Sequence, residues 1–384
     1  MKKPYFFTAL LALSLLLAGL HSCRSNAGSA VSELDTLYAP KYAEGFLLLK
    51  TRKGSSVLVI NNPWQGAADV RMEIFLSRGG EAPPDGFDGT VVDAPLKRVV
   101  CMSSTYVAFL SRLDKAGVIK GVSGGRYIYD PAIRERIESG DIKDVGSDTG
   151  INYELLAAIR PDLVFIYGVA DESSIISGKS SELGIKTAYI ADYLETDPLG
   201  KAEWIVAFGE MTGSRERAES IFGEICREYL AVKELAAGVE ARPEVMLNSP
   251  WRDTWFVPGD QSYMVALIND AGGNYRCRGV DSRQSRPLSG ESAYVMAKES
   301  DFWLNPGQYD TLSELMLGNP KFKNIPAVKK GKVYNNNLRS PPDGGSDFWE
   351  SGAVQPDIVL KDLIRILHPG LLSGHELYYY HKLD

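Results

Sequence analysis

Apolar and polar positions follow two different grammars along this chain. Between residues 42 and 80 short apolar runs alternate with polar ones: FLLLK, a turn at Lys53-Gly54, SSVLVINNPW, then VRMEIFLSRGG. Such runs split by turn residues predict a small β hairpin or meander, and the turn-rich EAPPDGFDG separates it from the next apolar stretch. From Arg98 strand-like runs alternate with stretches of period 3.6: RVVCM, STYVAFLSRLDKAG, VIKGVSG, INYELLAAIRP, DLVFIYG, ESSIISGKSSELG and IKTAYI. Strands alternating with helices predict parallel pairing in an α/β lobe over 98–197.

From 198 to 240 the pattern is helical, with apolar residues at Trp204, Ile205, Phe208, Met211, Ala218, Ile221, Phe222, Ile225, Tyr229 and Leu230. Gly209 and Gly213 mark a kink or a break between two helices. A helix of about thirty residues would be about 45 Å long, enough to run along two lobes. The alternation then restarts: PEVMLN as a strand, YMVALINDAGG and SAYVMAKES as helices, DFWLNPG as a strand, and AVQPDIVLKDLIRILHPG as a last helix stopped by proline and glycine. These elements predict a second α/β lobe over 241–370, with 371–384 as a tail. The expected fold class is α/β: two Rossmann-like lobes with parallel sheets joined by a single long α-helix, plus a small N-terminal β element over 42–97.

The opening MKKPYFFTALLALSLLLAGLHSC carries two lysines and sixteen mostly apolar residues from Tyr5 to Leu20. That run is short for a membrane span and reads as a secretory signal over 1–22, the alternative being a permanent anchor. Leu20, Ser22 and Cys23 resemble a lipobox, in which Cys23 is lipidated; His21 departs from the usual small residue. The small, polar residues Arg24 to Ala30 suit a flexible tether within 23–41.

The 384 residues, 44% hydrophobic and 24% charged, supply material for two packed cores. Loss of Lys2 and Lys3 with the leader leaves 40 basic against 49 acidic residues, a net charge of -9, which argues against a nucleic-acid partner. Beyond Cys23 only Cys101, Cys226 and Cys277 remain, with no disulfide framework or zinc spacing. His368, His375 and His381 all fall in the last seventeen residues, so no metal site held by histidines across the chain is expected. The chain has no G-x-S-x-G elbow and no H-E-x-x-H pair, and its glycine turns lack phosphate-loop spacing. Neither catalytic residues nor a cofactor is implied.

Aromatic and arginine residues do gather in loops after strands: Arg126, Tyr127 and Tyr129 after VIKGVSG, Tyr167 after DLVFI, Trp251, Arg252, Trp255 and Phe256 after EVMLNSP, Arg283 and Arg286 before LSGE, and Phe348 and Trp349 after RSPPDGGSD. In open α/β sheets ligands bind at the carboxyl ends of strands. Aromatic faces suit a large flat ligand, and arginines suit carboxylate or catecholate anions. Taken singly, each is better explained by packing or surface solvation; it is their joint placement that points to a site.

At this point the chain resembles the periplasmic binding proteins of ABC importers that carry ferric siderophores, haem and cobalamin. The residues that carry the likeness are RVVCMSSTYVAFLSRLDKAGVIKGVSG, VGSDTGINYELLAAIRPDLVFIYG and SELGIKTAYI in lobe one, and DAGGNYRC, LSGESAYVMAKESDFWL and IPAVKKGKVY in lobe two. The likeness spans roughly 98–368. Residues 31–97 and HELYYYHKLD lie outside the pattern. The resemblance implies a monomeric lipoprotein that captures an iron chelate or corrinoid between its lobes and delivers it to an ABC permease and its ATPase, at the periplasmic face of the inner or outer bacterial membrane. It implies permease docking through Glu154 and Glu291, one on each lobe, and cleft positions at Tyr167, Phe256 and Trp349. Arg126, Tyr127, Arg252 and Arg286 are placed in the cleft by the loop pattern alone. The competing functions are a chelate-modifying enzyme, for which Cys101, Cys226 and Cys277 would have to converge, and a surface scaffold using residues 42–80.

Overall fold

The computed structural model describes residues 31–384 apart from 32, 148, 149, 170, 171, 253, 280, 281, 342 and 343, and describes 172–175 by backbone alone. The leader 1–22, the lipidation position Cys23 and residues 24–30 of the tether lie outside the described residues.

The N-terminal element is a five-stranded sheet: β1 (Asp35–Tyr38), β2 (Phe46–Lys50), β3 (Ser56–Asn61), β4 (Arg71–Ser77) and β5 (Thr90–Asp93), in that order. β1 to β4 run antiparallel and β5 lies parallel to β4. The meander expected over 42–80 therefore gains a strand at each end. DTLY and TVVD are short and partly polar, and the neighbouring strand makes them β structure. β3 is buried from Ser56 to Ile60. Leu58 and Ile60 join the main core, and Val57 and Val59 join a second cluster with Val31, Leu49 and Phe75. Two buried faces explain why SSVLVI does not alternate.

Lobe one consists of β6 (Val99–Cys101), α1 (Ser104–Arg112), β7 (Ile119–Val122), α2 (Pro131–Glu138), β8 (Lys143–Asp144), α3 (Tyr153–Ile159), β9 (Leu163–Ile166), α4 (Glu172–Glu182) and β10 (Thr187–Tyr189). Its sheet is parallel throughout, in the order β10-β9-β6-β7-β8. Strand order reverses between β6 and β9, the position where such sheets offer a binding crevice.

The connector is three helical segments: α5 (Pro198–Glu203), α6 (Ile205–Thr212) and α7 (Arg215–Ala237). Gly213, at φ 69°, ends α6 in a left-handed conformation that a side chain would strain. The long helix is thus the 23 residues of α7, about 35 Å rather than about 45 Å.

Lobe two comprises β11 (Glu244–Leu247), β12 (Pro250–Trp251), β13 (Thr254–Val257), α8 (Tyr263–Asp270), β14 (Asn274–Tyr275), β15 (Arg286–Ser289), α9 (Gly290–Ala297), β16 (Phe302–Leu304), α10 (Leu312–Gly318), α11 (Pro326–Lys329), β17 (Val333–Asn335), α12 (Asp347–Glu350), α13 (Pro356–Leu367) and β18 (His381–Lys382). Its main sheet runs β14-β11-β16-β17-β18, parallel except for β18. β12, β13 and β15 form a small antiparallel sheet beside it. The tail is tied down by Asp362 of α13, which is fully buried and accepts from the backbone N–H groups of Tyr378, Tyr379 and Tyr380 and pairs with His375.

Buried carboxylates also pin the N-terminal sheet to the connector. Glu203 accepts from the Tyr38 hydroxyl and from the N–H groups of Lys41, Tyr42 and Ala43 at 2.6 to 2.9 Å. Glu195 accepts from the Glu44 and Gly45 N–H groups and from Trp204 Nε1. Glu210 accepts from Ser56 Oγ and pairs with Arg78 and Arg215. Burying these acids would be costly without such donors. Between the lobes, Glu350 accepts from the N–H groups of Tyr129 at 2.8 Å and Asp130 at 2.9 Å.

Candidate ligand cleft

The carboxyl ends of the parallel strands in both lobes open onto one cavity of about 1040 Å³. From lobe one, Ser103, Ser104 and Thr105 enter after β6, Val169 after β9, and Ala191 to Thr196 after β10. Ser103 caps α1, accepting from Thr105 N–H, and that cap turns the chain out of the strand at the cavity edge. Lobe two contributes Asn248 after β11, Gln261 to Met264 at the start of α8, Arg283 to Ser285 before β15, and Phe348, Trp349 and Ala353. The N-terminal sheet forms a third wall, with Glu44, Gly45, Asn61, Asn62 and the loop from Trp64 to Ala67.

Flat aromatic surface comes from Trp64, Tyr193, Tyr263, Phe348 and Trp349, and amide groups from Asn61, Asn62, Gln65, Asn248, Gln261 and Gln284. Amides offer both donors and acceptors without charge. The charged side chains among the described lining residues are partnered. Arg283 meets Glu44 at 2.8 Å, Lys201 meets the buried Asp192 at 3.2 Å, and Glu195 holds the donors named above. Burial raises the Glu195 carboxyl, and the N–H groups of Glu44, Trp204 and Gly45 oppose that shift. Burial pushes the Tyr193 phenol up to about 12 and raises Tyr263 further, so both stay neutral hydroxyls at ordinary pH. Tyr193 donates to Gly168 O at 2.7 Å.

Of the seven side chains expected in the cleft, Trp349 lines it, 54% exposed. Tyr167 is half-buried and packs against the core one residue before Gly168. Arg126 and Tyr127 stack on each other at 4.5 Å in an exposed turn after β7, against the Gly344–Gly345 loop. Arg252 sits at φ 57° in the β12–β13 turn, stacked on Trp251 at 4.3 Å. Phe256 is exposed on β13, whose alternate residue Trp255 is buried. Arg286 begins β15 and donates to Cys277 O. None of these six is a lining residue. Arg283 and Phe348, from the same loop groups, are.

Trp64, Asn62, Gln65, Tyr193, Lys201 and Tyr263 carry no sequence motif that marks them as cleft residues. The available signal was NNPWQG, a tryptophan in a polar turn between two apolar strands. Glu154 and Glu291 are both exposed in the first turns of α3 and α9, one on each lobe. The three cysteines do not converge. Cys101 and Cys277 are buried, with Cys277 against Met246, and Cys226 meets the Tyr42 hydroxyl. Among the described residues no group of three or more His, Cys, Asp or Glu side chains could hold a metal ion, and no helix is long and apolar enough to cross a membrane.

A family model described as periplasmic binding protein matches residues 99–336. An uncharacterized lipoprotein of Methanocaldococcus jannaschii is 28% identical over 377 residues, covering 92% of this chain and 87% of its own length. That coverage leaves unmatched fewer residues than separate Asp35 from Asp93, so the likeness reaches into the N-terminal sheet. Two solved structures share the fold. A periplasmic haem-binding protein of Pseudomonas aeruginosa has a TM-score of 0.57 at 15% identity, covering 75% of this chain and 98% of that one. A possible iron-binding periplasmic solute-binding protein of Staphylococcus epidermidis has a TM-score of 0.55 at 18% identity, covering 71% and 99%.

Proposed function

This chain belongs to the periplasmic binding protein family, and from that premise we propose that it is the solute-binding lipoprotein of an ABC importer. In this reading it captures a bulky iron chelate or corrinoid between its lobes and hands it to the permease without chemical change. The observation that carries the reading is the cavity of about 1040 Å³ at the strand ends of both lobes, walled by aromatic rings and amides. That volume lies at the upper end for small-molecule sites. The pairing of Lys201 and Arg283 with carboxylates favours a ligand of low net charge, a corrinoid or neutral chelate, over a strongly anionic catecholate complex. The haem-binding and iron-binding names of the two fold neighbours agree with a bulky metal chelate as the ligand, though not with its low charge.

Delivery would use Glu154 and Glu291, whose exposed carboxylates can orient an encounter with a basic permease surface. Cys23 would hold the protein at the periplasmic face of the inner or outer membrane. The test is native mass spectrometry with absorbance on the full-length protein after exposure to cyanocobalamin, haemin, a ferric tris-hydroxamate and a ferric tris-catecholate. Retention of one unaltered probe in a one-to-one complex is the expected result. Retention of none, or conversion of a bound probe, would overturn it. Reversing both charges, Glu154→Arg with Glu291→Arg, should leave retention intact and abolish stimulation of the importer's ATPase.

A further inference from the structure

Two lobes account for only part of the cleft, since the wall made by the N-terminal sheet lies outside the 99–336 match. That wall is fixed in place. Gln65 N–H donates to Gly168 O at 2.9 Å, and the Trp64 ring lies 5.3 Å from that of Tyr189. Gly168 has no room for a side chain, because a Cβ there would fall 2.1 Å from Trp64 Cβ. A loop already held in its bound position loses little freedom when a ligand arrives. At the mouth, Glu44, just before β2 of the sheet, pairs with Arg283 of lobe two. Both side chains are more than half exposed, so the pair contributes little to stability. Its consequence is local: the acid occupies an arginine that would otherwise attract anions into the cleft.

We propose that the N-terminal sheet selects the ligand: Asn62, Trp64 and Gln65 contact it directly, and Glu44 screens Arg283 so that uncharged ligands are favoured over anionic ones. The proposal rests on the capture reading above. The amides recognise a rim of carboxamide or hydroxyl groups, and the indole covers a flat apolar face. Asn62 is itself positioned by Val70 N–H, which donates to its Oδ1 at 3.2 Å.

The experiment is fluorescence titration of the full-length protein with cyanocobalamin, haemin and a ferric tris-catecholate, with melting temperature recorded for each variant. Trp64→Ala combined with Gln65→Ala should weaken the retained probe by at least about tenfold. Gly168→Ala, which pushes the loop away while keeping every lining side chain, should act in the same direction. Glu44→Gln should raise affinity for the catecholate relative to the uncharged probe by about tenfold, a gain that damage to the fold cannot produce. If the wild type retains a probe and all three variants hold both affinity and ratio within twofold, the sheet is not a selector. If the wild type itself retains none, the capture reading fails and this proposal falls with it.

Discussion

Two seams in this molecule are made from the same material, a buried glutamate accepting backbone N–H groups, and they differ in how fully the acid is served. At the N-terminal sheet, Glu203 takes four donors on two oxygens, and Glu195 and Glu210 add further donors and two arginines. Between the lobes, Glu350 takes two N–H donors and stands near Asp347 and Asp130, both of which disfavour its charge. Burial prevails there and raises its carboxyl to about 7. The sheet is therefore built into the frame of lobe one, whereas the lobes meet across an acid held by fewer donors, whose charge burial disfavours.

The sharpest way to break this contrast is Glu203→Ala. It strands three backbone N–H groups and the Tyr38 hydroxyl and should cost about 4 kcal/mol in urea unfolding. A loss under about 1 kcal/mol would mean that the sheet is not held by this seam. Next comes Glu350→Gln. Its carboxyl titrates higher in the folded chain than its ordinary 4.5, so its stabilising contribution is complete below about pH 4.5 and is lost as pH rises through about 7. The span is on the order of 3 kcal/mol. Melting temperature followed from pH 4 to 8 should fall more steeply in the wild type than in the variant. Residual slope of the same sign is expected from Glu195, Asp357 and Asp362, which burial also raises. Parallel curves would remove Glu350 as the titrating joint. The smallest effect belongs to Arg283→Ala, which should shift stability by no more than about 0.5 kcal/mol because its pair is exposed. A larger loss would show that the cleft mouth is a structural seam as well.

The alternating lobes were legible because parallel strands such as LVFI and FWL are buried on both faces and bounded by glycine or proline. The break in the connector was legible as Gly213. The edge strands DTLY and TVVD were not, since their β structure is imposed by β2 and β4. Placement of the cleft side chains depends on which way each strand-end loop turns. Strand parity sends Trp255 inward and Phe256 outward, and the left-handed backbone at Arg252 carries it onto Trp251. Trp64 enters the site from a separate sheet, a relation that local pattern does not encode.

The tail of lobe two also bears on how the molecule is made. All five strands of lobe one precede residue 190, so every partner its sheet needs has emerged while later parts of the chain are still to follow. Lobe two cannot close its own sheet until His381 and Lys382 pair with β17 and Tyr378 to Tyr380 reach Asp362. The second half of the cleft is therefore completed last, and a partly emerged chain presents a finished lobe beside an open-edged one. On the proposed reading, a complete cleft exists only once the tail has joined lobe two.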